Sequence, residues 1–154
     1  MKSERVSEVK DLVIVGLAIR TSPASAGPDI GAAWQRFMSE GTAQRVEPDP
    51  ADAHIYAVYC DYESDHAGPY TMVLGVAADS KAAVPAGLRR VRVPSGAFQR
   101  FMAHGAPERA LWETWSHINR VWEKPGARRY IADFERYVAI AEGTVTAEVY
   151  VGLS

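Results

Sequence analysis

The chain has 154 residues, of which 47% are hydrophobic and 23% charged, a composition typical of a globular domain and not of a disordered chain. With 17 basic and 19 acidic residues its formal net charge is −2, so it has no basic surplus for neutralising phosphates, and direct nucleic-acid binding is not expected. The longest apolar run, residues 12–19, is much shorter than the about 20 residues of a transmembrane helix. We therefore predict one domain over residues 1–154 and no membrane partner.

Cys60 is the only cysteine, which excludes an intramolecular disulfide framework and a thiolate zinc cluster. The apolar run is followed by Ala24-Ser25-Ala26, as in a signal peptide, but the residues before it hold as many acids as bases and form no positive n-region. We interpret the run as a strand and predict a cytoplasmic protein. Scattered histidines and the absence of a glycine-rich phosphate motif predict no metal and no cofactor.

The first half of the chain predicts the order strand, helix, strand, strand. Residues 12–19 form the first strand, and a helix begins at Gly27-Pro28-Asp29, with proline and an acid in its first turn. Its apolar residues recur at helical spacing on one face, at Ile30, Ala33, Trp34, Phe37 and Met38. Residues 42–53 are polar and predict a loop, after which residues 55–62 and 70–76 predict a hairpin.

The second half repeats this order. Strands are predicted at residues 89–93, 97–103, 134–141 and 146–153. A helix begins near Pro107, carries an apolar stripe and is expected to stop at Pro125-Gly126; the stripe consists of Leu111, Trp115, Ile118 and Trp122. The repeat predicts an α+β fold with two strand–helix–strand–strand halves in a pseudo-twofold relation. We expect a mostly antiparallel sheet, both helices on one side and a cleft at the seam between the halves.

An acidic and aromatic pattern marks the last two predicted strands. Asp133, Glu135 and Tyr137 alternate on one face of the first strand, and Glu148 and Tyr150 share a face of the second. In a hairpin, Glu135 or Tyr137 would lie near Glu148 or Tyr150. Two interpretations remain open: the face is exposed and its acids are solvated, or a carboxylate lies at the bottom of an aromatic pocket and favours a cationic guest.

Several segments, in this order and spacing, resemble the GyrI-like small-molecule-binding domain, also called the AraC-type effector-binding domain. The resemblance covers residues 12–153 and includes both predicted helices and both hairpins. The segments that carry it are Val15-Gly16-Leu17, Ile30-Gly31-Ala32-Ala33-Trp34, Tyr56-Ala57-Val58-Tyr59, Val93-Pro94-Ser95-Gly96-Ala97-Phe98, Thr114-Trp115, Asp133-Phe134-Glu135-Arg136-Tyr137 and Glu148-Val149-Tyr150.

The resemblance implies a central ligand cleft in which Glu135 is the glutamate that meets cationic or electrophilic ligands. It places Glu148 and Tyr150 where multidrug-binding members have a second acid and a tyrosine, and it makes Trp115 and the aromatics of the first hairpin cleft walls. The expected ligand-binding residues are therefore Glu135, Tyr137, Glu148, Tyr150, Trp115, Trp34, Tyr70 and Tyr59.

Three functions follow from the resemblance. The leading hypothesis is a stand-alone protein that binds amphipathic aromatic compounds, cationic ones above all. The second is a hydrolase of strained, cyclopropane-bearing natural products, with Glu135 as general base and Glu148 or Tyr150 assisting. The third is a protein-interaction module like the gyrase inhibitors, and a homodimer is also left open. Residues 1–11 are an N-terminal extension too short for a helix-turn-helix module, so a complete transcription factor is not expected.

Overall fold

Eight strands form one sheet in the computed structural model, which describes residues 1–122 and 126–154. The strands are β1 (Ser3–Val9), β2 (Leu12–Thr21), β3 (Ile55–Cys60), β4 (Tyr70–Ala77), β5 (Arg89–Val93), β6 (Gly96–Gly105), β7 (Ala132–Ala141) and β8 (Thr144–Gly152). The same ranges contain the helices α1 (Ala26–Ser39), α2 (Thr42–Arg45) and α3 (Pro107–His117), and a π-helical turn over Ile118–Trp122 follows α3. The predicted α+β class is confirmed.

The strand order is symmetric about the centre of the sheet. It is β1-β6-β8-β7-β3-β4-β2-β5, and every neighbouring pair is antiparallel. Strands β3 and β7, the first strands after α1 and α3, pair at the centre, where Ala57 lies opposite Glu135. The first strand of each half lies at the outer edge of the other half, because β1 pairs with β6 and β5 pairs with β2. This order confirms the predicted pseudo-twofold arrangement.

Two elements differ from the sequence prediction. Residues 1–11 were expected to be an extension, but β1 lies within them and joins the sheet, with Val6 opposite Phe98. Apart from Val6 and Val9, its side chains are exposed, so this edge strand has little of the apolar alternation that identifies a strand. The segment 42–53, predicted to be a loop, begins with the four-residue helix α2, which is too short for a periodic signal.

The long helices bury fewer of their apolar residues than predicted. In α1 Ala33 and Phe37 are buried, whereas Met38 is 59% exposed. Of the predicted stripe of α3 only Ile118 is fully buried, and it lies in the π-helical turn. The predicted helix stop at Pro125 lies outside the described residues. Within the described ranges, no helix combines the length and apolar character needed to cross a membrane.

The two faces of the sheet have different surroundings. On the face away from the helices, residues of all eight strands form one apolar cluster that includes Ile14, Val58, Phe98 and Phe134. On the other face, α1 packs through Ala33 and Phe37 on strands of the first half, and α3 packs on β6 and β8 of the second half. The helices therefore stand on either side of the central strands β3 and β7, which leaves a groove between them.

Two facing glycines allow the backbones of β2 and β4 to approach each other closely. Gly16 and Gly75 are opposite each other in the register, and Gly16 is buried. A Cβ atom at Gly16 would overlap the carbonyl oxygen of Leu74, and one at Gly75 would overlap the carbonyl oxygen of Val15. Since both obstacles are backbone atoms, a side chain at either position requires the strands to move apart.

We therefore expect Gly16→Ala to lower the free energy of unfolding by about 1–3 kcal/mol or more, as overpacking of an interior does. Urea denaturation measures the change. The matched control is Gly31→Ala in the middle of α1, where an added Cβ has no neighbour within 4 Å. That variant should gain about 0.5–1 kcal/mol from helix propensity. Equal stabilities of the two variants would show that the strands accommodate a side chain at Gly16.

Candidate functional site

A large groove between α1 and α3 lies over the central strands. Its volume is about 1520 Å³, larger than the roughly 300–1,000 Å³ of most small-molecule sites. Of the residues expected to bind a ligand, it is lined by Trp34, Tyr59, Tyr70, Trp115, Glu135 and Tyr137. The pseudo-symmetric halves thus produce the cleft at their seam, with helices as walls and the sheet as floor.

Glu135 lies on the floor of the groove. It belongs to β7, one of the two central strands, and only 2% of its surface is exposed. Strand alternation gives Asp133, Glu135 and Tyr137 the same face, which is the face that α1 and α3 flank. A carboxyl group is rarely buried in this way without strong interactions, because removing the charge from water costs several kcal/mol.

Three neutral donors from three elements hold the Glu135 carboxylate. The Tyr137 hydroxyl donates to Oε1 at 2.6 Å. The Trp115 indole Nε1 and the Tyr59 hydroxyl donate to Oε2 at 2.7 and 2.9 Å. These bonds join β3, β7 and α3 around one side chain, so the carboxylate is fixed in position.

The Glu135 carboxyl group has polar neighbours but no countercharge among the described residues. Burial raises the pKa of Glu135 above its ordinary value, while the hydrogen bonds from Tyr137, Trp115 and Tyr59 oppose that rise. Among residues 1–122 and 126–154, no arginine, lysine or histidine forms an ion pair with it. The Glu135 carboxyl group is thus held by neutral donors alone, and a cationic guest would be its first countercharge among the described residues.

Aromatic rings surround this carboxylate. Trp34 of α1 meets Tyr137 edge to face at a centroid distance of 5.0 Å. Tyr59 of β3 meets Trp115 of α3 at 5.4 Å and Tyr70 of β4 at 5.8 Å. Both helices and the floor therefore contribute aromatic surface within the same groove.

Glu148 and Tyr150 lie on the opposite face of the sheet from Glu135. In the β7–β8 register Glu135 is opposite Val149, so Glu148 is opposite Arg136 and Tyr150 is opposite Phe134. The hairpin was predicted, but its register separates the two acids instead of bringing them together. Neither Glu148 nor Tyr150 lines the groove.

On that opposite face Glu148 is held by arginines. Arg136 Nε donates to its Oε1 at 2.7 Å, and Arg100 Nη1 donates to its Oε2 at 3.0 Å. Tyr150 stacks on Phe134 at a centroid distance of 4.5 Å and accepts a hydrogen bond from Arg136 at 3.1 Å. Glu148 and Tyr150 are therefore buried and bound by residues of the opposite face, where they stabilise the interior of the protein.

A second buried acid, Asp133, belongs to a polar cluster at one end of the groove. Its carboxylate accepts hydrogen bonds from Tyr62 at 2.6 Å, from Arg128 at 2.9 Å and from the backbone N–H of Gly152 at 2.7 Å. Arg128 also donates to Asn119 at 2.8 Å. Asp133 is therefore neutralised within the protein, in contrast to Glu135.

Sequence reasoning placed Asp133 on the correct face but missed Tyr62, Asn119 and Arg128 as groove residues. They come from three separate segments, and no spacing in the sequence connects them. Within the described ranges no group of three or more His, Cys, Asp or Glu residues is arranged to hold a metal ion. The groove thus has the buried Glu135 carboxyl group on its floor, aromatic walls, and at one end a polar cluster in which Asp133 is paired with Arg128.

Comparisons with known proteins agree with this architecture. The model of a family described as integron-associated effector binding protein matches residues 5–153. YobU of Bacillus subtilis (strain 168), whose name describes it as a proposed transcriptional regulator, is 29% identical over 126 residues, which cover 79% of this chain and 78% of YobU.

Two solved structures share the fold. An integron cassette protein from the mobile metagenome of Vibrio cholerae has a TM-score of 0.76 at 22% identity and covers 99% of this chain and 95% of its own. SAV2435, solved bound to tetraphenylphosphonium, has a TM-score of 0.74 at 18% identity and covers 100% of this chain and 94% of its own. The predicted resemblance to effector-binding domains is confirmed.

Proposed function

The chain belongs to the integron-associated effector binding proteins, and we propose that it binds amphipathic aromatic cations in the groove above Glu135. The observation that carries this proposal is the buried Glu135 carboxylate, which three neutral donors hold and no cation of the described residues neutralises. A cationic guest would supply the missing countercharge in a site where attraction between charges is stronger than in water.

The aromatic lining favours the same class of ligand. A cation over an aromatic ring gains about 0.5–2 kcal/mol, and flat ligand surfaces gain further from apolar burial against the rings. Trp34, Trp115, Tyr59, Tyr70 and Tyr137 all line the groove around Glu135. Tetraphenylphosphonium, the ligand in the SAV2435 structure, is an aromatic cation and is therefore the first probe for this chain.

We expect Glu135→Gln to weaken tetraphenylphosphonium binding at least about tenfold, a loss of about 1.4 kcal/mol or more. The amide keeps the shape of the side chain but removes the charge that attracts the cation. Isothermal calorimetry on the wild type and the variant measures the difference. Wild-type protein should bind triphenylphosphine oxide, an uncharged analogue, much more weakly than the phosphonium.

Glu148→Gln is the matched control, because Glu148 is the other carboxylate that the sequence placed in the site. It should lower stability through its lost ion pairs with Arg100 and Arg136 but leave the affinity for tetraphenylphosphonium within about twofold. Equal affinities of wild type and Glu135→Gln would contradict the proposal, and failure of the wild type to bind any cation would favour the protein-interaction hypothesis. Product analysis after long incubation with each ligand that binds separates binding from hydrolysis.

A further inference from the structure

We propose that the ligand is a cation with a flexible apolar arm, and that the arm lies along the end of the groove formed by Met38, Trp112 and Ile140. This inference rests on the proposed function, since Glu135 sets the position of the charge. It adds a second subsite and a ligand shape: an extended amphiphile whose charge and tail occupy separate parts of one groove.

The two ends of the groove differ in chemistry. Trp34 contacts Tyr137, and the helix α1 continues from there to Met38. Leu111 near the start of α3 packs in the cluster of Tyr137 and Val145, so the end of α1 and the start of α3 lie at the same end. The groove is lined at this end by the apolar residues Met38, Leu111, Trp112, Ile140 and Val145 and by Glu108 and Arg109 of the first turn of α3, and at the other end by Tyr62, His66, Asn119 and Arg128.

Large apolar side chains are left exposed at the first end. Met38 is 59% exposed, Trp112 64% and Ile140 48%. Exposed apolar residues that line a binding groove are candidates for ligand contact. All three residues line the same groove as Glu135, so a single ligand that reaches both places would cover them.

A register irregularity brings Ile140 to this surface. Strict alternation after Tyr137 would give residues 139 and 141 the helix-side face, and both are alanines. The β7–β8 register shifts between Tyr137 and Ala139, so Ile140 comes to lie opposite Val145, which lines the groove. The irregularity therefore replaces a small side chain with a large apolar one on the groove floor.

The distance from the carboxylate to this surface suits an alkyl arm. Glu135 and Ile140 are five residues apart on β7, or roughly 16 Å at about 3.3 Å per residue. A compact cation at Glu135 would leave Met38, Trp112 and Ile140 uncovered. An arm of medium length that runs from the charge toward the hairpin would bury them.

The test is a series of hexyl-, octyl-, decyl-, dodecyl- and tetradecyltrimethylammonium ions, each titrated into the protein below its micelle concentration. Wild-type affinity should rise roughly two- to fourfold per added methylene group, as expected for burial of the arm. In the double variant Met38→Gln, Trp112→Gln the rise per methylene should largely disappear. Met102→Gln is the matched control, since Met102 is 49% exposed but does not line the groove, and it should keep the wild-type rise.

The outcomes separate this inference from the function on which it rests. Glu135-dependent binding of tetraphenylphosphonium with no dependence on chain length would overturn the tail subsite and leave the cation site intact. A chain-length dependence that the double variant retains would also overturn it, because the arm would then lie elsewhere. Failure of every cation to bind would overturn both. Because Met38 and Trp112 are both exposed, the double variant should fold normally. A melting temperature equal to that of the wild type checks this.

Discussion

Asp133→Asn is expected to lower the free energy of unfolding by about 3–5 kcal/mol, the usual cost of breaking a buried ion pair by removing one partner. The side chains of Asp133 and Arg128 are 0% and 1% exposed, and their closest charged atoms are 2.9 Å apart. Asparagine preserves the volume of the side chain but removes the charge that Asp133 presents to the buried Arg128 guanidinium. It also weakens the bonds from Tyr62 and from the Gly152 N–H, which join the ends of β7 and β8 to the β3–β4 loop.

Urea denaturation with an unchanged slope would assign this loss to the folded state. Asp61→Asn is the control, because it removes a carboxylate from an ion pair of similar length in an exposed position. Asp61 lies 2.7 Å from Arg89, and the two side chains are 47% and 41% exposed. Exposed pairs contribute about 0–1 kcal/mol, and asparagine tolerates the positive φ of 49° at this position. Similar losses in both variants would show that burial is not what makes the Asp133 pair important.

The elements with strong apolar periodicity were predictable from the sequence. The strand from Leu12 and the two hairpins bury whole rows of side chains, and the helix from Gly27 buries Ala33 and Phe37 of its apolar face; burial imposes these patterns. Strand β1 lacks that signal because it is an edge strand whose side chains are mostly exposed. The Gly16–Gly75 contact also could not be inferred, because a glycine pair becomes visible only when the strand register is known.

The candidate site was predictable in part for a similar reason. Alternation alone places Asp133, Glu135 and Tyr137 on one face of β7, and the resemblance selects Glu135 from them. Whether Glu148 joins that face depends on the register of β8 against β7, which a sequence pattern does not determine. In the observed register Glu148 lies opposite Arg136, so its side chain is on the other face of the sheet from Glu135. The sequence pattern assigns Met38 to the apolar face of α1, and its exposure at the end of the groove becomes visible only in the structure.

Cation affinity should also depend on pH through Glu135. Because burial raises its pKa, the empty folded protein holds the Glu135 proton more tightly than the unfolded chain does. That contribution to stability is full below the unfolded-state pKa and is lost as pH rises through the folded-state pKa. Cation binding favours the ionised form, so affinity should rise with pH by up to tenfold per unit below the folded-state pKa and level off above it.

The other titratable groups around Glu135 are tyrosines, and burial raises the pKa values of Tyr59, Tyr70 and Tyr137 above their ordinary value. These tyrosines stay protonated in the acidic range, and because His66 and Glu108 also line the groove, the Glu135→Gln profile is needed to assign the dependence. In Glu135→Gln the rise in affinity with pH should vanish. Calorimetry with tetraphenylphosphonium at a series of pH values gives both profiles, and a rise that survives the substitution would assign the dependence to another group.

Tyr137→Phe should move the same profile to higher pH. The Tyr137 hydroxyl is the donor to Oε1, at 2.6 Å, and its loss removes a bond that favours the ionised carboxylate. A hydrogen bond to a charged group contributes about 1.5–3 kcal/mol, so affinity at a fixed pH below the midpoint should fall roughly tenfold or more. Tyr70→Phe is the matched control. Tyr70 also lines the groove, but the donors to Glu135 are Tyr59, Trp115 and Tyr137. Its profile should keep the wild-type midpoint. A shift of equal size in both variants would mean that the tyrosines act through the polarity of the groove and not through the bond to Oε1.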